Sequence, residues 1–370
     1  LAIVSHRTVA TQQQRHTAKL DSEYGSLIDD CCLRRIGKRN GPVFSLPFTY
    51  TQDRGRTPEG VMQGNAATAR GELSFLWLEI TSRCNLECAH CYADAGPGEP
   101  LQGTLVLADW QVVIRDAAAL GCRCLQFIGG EPTLHPDLLA MIETASAHGY
   151  AFIEVYTNAT GLSERMVTAF AEHRVHVATS FYSDDPRVHD GMTGRAGSFA
   201  KTTRTIRRIA EAGLPVRAGI IEGDANRGHA QGAARQLRAL GVTEYGIDEV
   251  RPVGRGAHAS DQSSRFDALC GQCSKGRVCV TARGDVYPCV FSRAFPLGRI
   301  EQGLANLLRG QPLVEFRAAQ RRFEEARAPT RLDDHECRPT CSPGDLFCTP
   351  MNGCMPQLAP NRPPGSRRNE

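Results

Sequence analysis

Three cysteines, Cys84, Cys88 and Cys91, stand together in the segment Cys84-Asn-Leu-Glu-Cys88-Ala-His-Cys91. Thiolates are soft ligands, and three on one short loop can converge on a metal centre. Three protein ligands on a four-iron cubane leave one iron open, just as an open position on a catalytic zinc admits a substrate. A zinc knuckle is the other centre that three close cysteines suit. A second set lies further on: Cys270, Cys273, Cys279 and Cys289, then Cys337, Cys341, Cys348 and Cys354. Eight thiolates could fill two four-iron clusters, but one cluster with spare thiols, or a zinc site, also satisfies the count. The chain has 15 cysteines, an odd number, in 370 residues. A secreted disulfide scaffold is normally shorter and even-numbered. The opening residues, Leu1-Ala-Ile-Val-Ser-His, do not have the layout of a secretory signal. Clustered thiols in such a chain point to metal or iron–sulfur ligation in a reducing cytoplasm.

The elements that must position these thiols can be read from periodicity. Short apolar runs predict strands at Leu76–Thr81, Leu125–Ile128, Phe152–Thr157, Val175–Phe181, Val216–Ile221 and Tyr245–Val250. Between them, amphipathic stretches predict helices at Trp110–Leu120 with Asp109 as N-cap, Leu134–His148, Glu164–Glu172, Phe199–Ala212 closed by Gly213, and Ala230–Leu240. Strands alternating with helices argue for parallel βαβ units, in an open barrel or a doubly wound sheet. In both, ligands bind at the carboxyl ends of the strands. The first cysteine loop follows the first strand directly. Gly129-Gly130-Glu131-Pro132 follows the second, and glycines let a backbone approach a ligand closely. Cys122 and Cys124, at the start of that second strand, read as small core residues.

These features together resemble the radical S-adenosylmethionine (SAM) superfamily over roughly residues 74–300. The resemblance rests on the Cys-x-x-x-Cys-x-x-Cys loop and on the Gly-Gly-Glu-Pro segment. It implies a partial (β/α)6 barrel of the α/β class, a four-iron cluster held by Cys84, Cys88 and Cys91, and SAM chelating the open iron. An electron from the cluster would then split SAM into methionine and a 5′-deoxyadenosyl radical that takes hydrogen from a substrate. It further implies SAM contacts at Glu131, which would pair with the ammonium, at Gly129 and Gly130, at His90, where relatives carry an aromatic residue against adenine, and at Asn158 and Ser180. Where the family often has Thr-Asn-Gly, this chain has Thr157-Asn158-Ala159. His189-Asp190, Thr193-Gly194 and Gly197-Ser198-Phe199 match a stretch common in members with peptide substrates, and Ser198 reads as a helix cap. The resemblance names no residue for the hydrogen-transfer step itself.

The stretch Gly284-Asp-Val-Tyr-Pro-Cys289 resembles the SPASM extension of the same enzymes, with Cys270 or Cys273 in the leading position. Arg251-Pro-Val-Gly-Arg255 and Pro296-Leu-Gly298 look linked to it. The later cysteine spacing departs from the usual one, so the pairing of ligands with one or two auxiliary clusters stays open. The expected organisation is an N-terminal extension over 1–70, either disordered or a mis-assigned start with translation beginning at Met62, and no role for Cys31 or Cys32. A barrel over 71–257, a small SPASM-like cysteine-rich domain over 258–358 and a disordered tail over 359–370 complete it. The expected substrate is a peptide, with a small molecule such as a sugar as the alternative and a non-enzymatic scaffold as the third reading. An electron donor such as flavodoxin or ferredoxin is expected as partner. With 43 basic and 40 acidic residues the charge balance leaves no nucleic-acid footprint, and the absence of an 18-residue apolar run argues against a membrane helix.

Overall fold

The computed structural model describes residues 73–257 and 266–327. The expectations for Cys31, Cys32, Met62, the tail, and Cys337, Cys341, Cys348 and Cys354 lie outside the described residues. Six parallel strands form the frame: β1 (Phe75–Thr81), β2 (Cys124–Gly129), β3 (Phe152–Tyr156), β4 (His176–Phe181), β5 (Val216–Glu222) and β6 (Glu244–Glu249). They are crossed over by α1 (Leu107–Ala119), α2 (Leu138–Ala147), α3 (Glu164–Glu172), α4 (Pro186–Thr193), α5 (Ser198–Glu211) and α6 (Ala230–Ala239). The helices other than α4 cover one face of the sheet with their apolar sides, whereas α4 packs on α5. Trp110, Val113, Ile114 and Ala117 of α1, for example, are buried against Leu76, Leu78 and Leu125 in the main core.

The sheet does not close on itself. It runs β6-β5-β4-β3-β2-β1-β7-β8-β9, so β6 is an edge. The free side of β1 is taken by β7 (Arg277–Thr281), which pairs with it in parallel from Phe75↔Arg277 to Glu79↔Thr281. β8 (Asp285–Tyr287) and β9 (Gly298–Arg299) then add antiparallel, and α7 (Leu304–Arg309) and α8 (Gln311–Arg327) follow. The cysteine-rich segment thus extends the barrel's own sheet, because an open barrel leaves β1 with unpaired backbone groups that need a partner.

Three local expectations change. Asp109 does not cap α1 as its first flanking residue. Val106 does, and Asp109 lies one turn in, where its carboxylate accepts the Val106 N–H at 2.9 Å. α2 begins at Leu138 rather than Leu134, because Pro136 lacks an N–H and disfavours helix at His135. Pro132–Leu134 form only a 3-10 turn. α4 was not expected, yet its caps are local: Asp185 accepts from the Arg187 N–H at 2.8 Å, Pro186 opens it, and Gly194 closes it at φ 66°.

Candidate active site

The loop that leaves β1 carries Cys84, Cys88 and Cys91, and all three open on one cavity of about 310 Å³. Cys84 is buried, and its sulfur accepts the Leu86 N–H at 3.4 Å and the Asn158 amide at 3.6 Å. Burial pushes its thiol up to about 11. Burial, and then the nearness of Cys91 and Cys84, pushes Cys88 up to about 12. Thiols that hinder one another's ionisation suit a metal centre, whose positive charge replaces their protons. Among the described residues no three His, Cys, Asp or Glu side chains close around a single ion; a cubane takes one thiolate per iron and needs them further apart. The soft donor set, the sulfur-directed N–H groups and the adjoining cavity fit an iron–sulfur cluster with one open iron.

The other expected SAM contacts surround the same space, with one exception. Gly129, Gly130, Asn158, Ser180 and His90 line the cavity. The two glycines are required by the chain itself as well. A Cβ on Gly129 (φ 140°) would meet Thr81 O at 2.5 Å, and one on Gly130 would meet Arg83 O at 2.2 Å. That close approach lets Gly130 N–H and Glu131 N–H bond to Thr81 O and Arg83 O at 2.7 and 2.8 Å. Glu131 is the exception: it is only 1% exposed and stands behind the wall. One carboxylate oxygen accepts from Thr133 N–H, Thr133 Oγ and Thr157 Oγ at 3.0, 2.6 and 2.7 Å. The other accepts from Asn158 N–H at 2.7 Å. Its burial raises its pKa against the pull of those four bonds.

Asn158 passes that order to the cysteine loop, since its amide also donates to Asn85 Oδ1 at 2.7 Å. Ala159 has φ 55°, the left-handed conformation that glycine accepts freely and an alanine adopts only under strain. His90 Nε2 lies 3.2 Å from Tyr182 Oη, and burial lowers its pKa to about 4. Its Nδ1 is buried and has no hydrogen-bond partner among the described residues. Ser180 Oγ lies 3.1 Å from Tyr156 Oη.

Several wall residues escaped the sequence reading: Gln126, Tyr156, Tyr182, Arg217 and Asp248. Glu154, fully buried, takes Arg217 in a two-pronged pair at 2.6 Å for each contact, and Gln126 also donates to it. The available signal was polarity inside otherwise apolar parallel strands. Gln126 and Glu154 are direct neighbours in register, a placement that needs a purpose in strands buried on both faces.

The structure divides the second cysteine set. Cys270, Cys273 and Cys289 line the same cavity as the first. The sulfurs of Cys273 and Cys289 are 3.0 Å apart, and the neighbouring Cys270 and Cys289 thiols raise the Cys273 pKa. Cys279, in β7, does not reach the cavity. It is fully buried beside Glu79 and Arg293, and burial raises its pKa. Cys122 and Cys124 are buried core residues, with Cys122 Sγ 3.2 Å from Cys124 O.

An open parallel sheet with a three-cysteine loop at the carboxyl end of β1 defines a barrel-type cofactor enzyme framework. Residues 78–223 match the model of the radical SAM superfamily, and residues 270–342 match that of SPASM, an iron-sulfur cluster-binding domain. The chain thus carries a radical SAM domain followed by a SPASM domain, a pairing that implies a SAM-binding four-iron cluster and auxiliary iron–sulfur binding. It is 27% identical over 309 residues to the antilisterial bacteriocin subtilosin biosynthesis protein AlbA of Bacillus subtilis, covering 75% of this chain and 66% of that protein. It is 31% identical over 156 residues to the PqqA peptide cyclase of Rhodopseudomonas palustris, covering 41% of this chain and 40% of the cyclase. The chain thus spans about two thirds or less of these relatives. Streptococcus suis SuiB, solved with precursor peptide SuiA, shares the fold at a TM-score of 0.56 and 13% identity, over 66% of this chain and 67% of that one.

Proposed function

We propose that this protein is a radical SAM enzyme that modifies a peptide, in the manner of a natural-product maturase. The observation that carries the reading is that two cysteine groups, Cys84/Cys88/Cys91 and Cys270/Cys273/Cys289, open onto one cavity with His90, Asn158 and Ser180 in its wall. The first group would hold the SAM-binding cluster. When bound, that cluster supplies the electron that cleaves SAM and so generates the hydrogen-abstracting radical. Cys270, Cys273 and Cys289 would hold an auxiliary cluster, with Cys279 outside the set. Asn158 orients Cys84, Gly129 and Gly130 bring the end of β2 against the loop, and the aromatic and arginine side chains of the wall shape the substrate space.

The peptide class is supported by what the relatives' names say of them, a bacteriocin biosynthesis protein and a peptide cyclase. A flavodoxin or ferredoxin would supply the electron. The thiol-rich composition supports a reducing cytoplasm, and among the described residues no helix is long and apolar enough to cross a membrane. The test is anaerobic reconstitution with iron and sulfide, followed by dithionite and SAM. The protein should release 5′-deoxyadenosine, and changing Cys84, Cys88 and Cys91 together to Ala should abolish the release. Undiminished SAM cleavage by that triple variant refutes the assignment.

A further inference from the structure

Two motifs have no part in the SAM contacts described above: the stretch around Thr193-Gly194 and the turn Arg251-Pro-Val-Gly-Arg255. Both grip the first cysteine loop, from opposite sides. On one side, Thr193 O and Met192 O accept from Glu87 N–H and Ala89 N–H at 3.0 and 3.3 Å. Arg195 donates to Asn85 O at 2.9 Å. A Cβ on Gly194 would lie 2.6 Å from Glu87 O, so only glycine lets the end of α4 sit this close.

On the other side, Arg255 donates from Nε to Cys88 O at 2.9 Å and from Nη2 to Ala95 O at 2.7 Å. Its own backbone N–H donates to Cys91 O at 2.9 Å. Gly254, at φ 58°, permits this, since a Cβ there would meet Cys91 O and Tyr92 O at 2.5 Å. One residue therefore binds three carbonyls of a loop whose shape sets where three sulfurs point. Arg255 also lines the cavity onto which the three cysteines open. Among the described residues no carboxylate pairs with it. A planar fork with fixed donor directions suits two carbonyls at once, a geometry that a lysine ammonium does not reproduce.

We propose that Arg255 is the positioning residue of the SAM-binding cluster: its three hydrogen bonds fix the loop between Cys88 and Ala95, and its charge sets the electron affinity of what the loop holds. The inference rests on the cluster reading above. Two effects follow and can be separated. Losing the fork loosens the loop, so iron leaves faster; losing the charge makes the cluster harder to reduce.

The experiment compares reconstituted wild type, Arg255→Gln and Arg255→Lys. Iron loss to a chelator is timed, and the midpoint potential of the SAM-sensitive cluster is followed by paramagnetic resonance during redox titration. Far-ultraviolet circular dichroism establishes that each variant is folded. Arg255→Gln should lose iron from this cluster about tenfold faster or more, the scale of one hydrogen bond from a charged group, and its potential should move negative. Arg255→Lys should recover the potential but not the iron retention. A folded Arg255→Gln with wild-type potential and wild-type iron loss overturns the inference. A wild-type chain that takes up no SAM-sensitive cluster overturns the functional reading, and this inference with it.

Discussion

Replacing Glu131 by Gln separates two roles that a carboxylate at this position could have. If it pairs with a SAM ammonium, the substitution weakens SAM binding and leaves the unliganded fold alone. The structure assigns it a different duty, because all four of its donors come from the chain: two from Thr133, one from Thr157 and one from Asn158. The Gln oxygen can take the place of the oxygen that serves Thr133 and Thr157. Its NH2 group must then face the Asn158 N–H, donor against donor. A hydrogen bond to a charged acceptor contributes about 1.5–3 kcal/mol, and a buried donor left without a partner adds to the loss. The expected destabilisation is therefore about 3 kcal/mol, a large share of the 5–15 kcal/mol typical of a domain. Urea denaturation of the unliganded protein under anaerobic conditions measures it, with SAM affinity measured in parallel. A SAM affinity that falls about tenfold or more, with stability unchanged within about 0.5 kcal/mol, would refute the reasoning and place the carboxylate on the ligand.

Two further outcomes follow from the site. Cys270→Ser should remove about four irons per chain from the reconstituted protein, the content of one cubane, whereas Cys279→Ser should remove none; iron analysis with Mössbauer spectroscopy decides, and the reverse pattern would exchange the two residues. His189 is 1% exposed, boxed by Phe181, Tyr182 and Phe199, and its burial lowers its pKa from 6.5 to about 4. Between these values the unfolded chain binds a proton that the folded chain refuses, so stability falls as pH drops through the window, by about 3 kcal/mol at its acid end. His189→Phe should flatten the dependence of the denaturation midpoint between pH 6.5 and 5, and an unchanged slope would show that another group governs it.

The parallel frame was legible in sequence because strands buried on both faces announce themselves as apolar runs, as Leu76–Thr81 does. The cysteine loop and Gly129-Gly130 were legible because residue type and spacing carry their chemistry. What escaped depends on contacts between distant segments. Nothing local reveals that Glu131 is enclosed by Thr133, Thr157 and Asn158, which arrive from two separate strand ends, or that Cys279 and Cys289 part company. β7 joins the sheet through a pairing some two hundred residues apart in sequence, and that pairing decides which cysteines meet the cavity. α4 was missed for a different reason. It is short, and its Asp-Pro opening and Gly closing are capping signals that a search for apolar periodicity passes over.

The register of that pairing also fixes where the two cysteine groups stand. The first leaves the carboxyl end of β1. β7 runs parallel to β1, with Arg277 beside Phe75, so Cys270 and Cys273, which precede it, approach the amino end of β1. β8 returns antiparallel, with Tyr287 opposite Cys279, and carries Cys289 back toward the same amino end. Seven extended residues of β1 rise roughly 20 Å, so the groups face each other along the length of the barrel interior. Between them lies the layer in which Trp77 pairs with Gln126 and Gln126 with Glu154, which holds Arg217. A charged pair costs desolvation wherever it is buried, and in this fold its Arg217 lines the cavity onto which both cysteine groups open. Gln126 lines that cavity as well, and buried Glu154 holds both side chains, so the layer sets a fixed polar wall inside an otherwise apolar barrel.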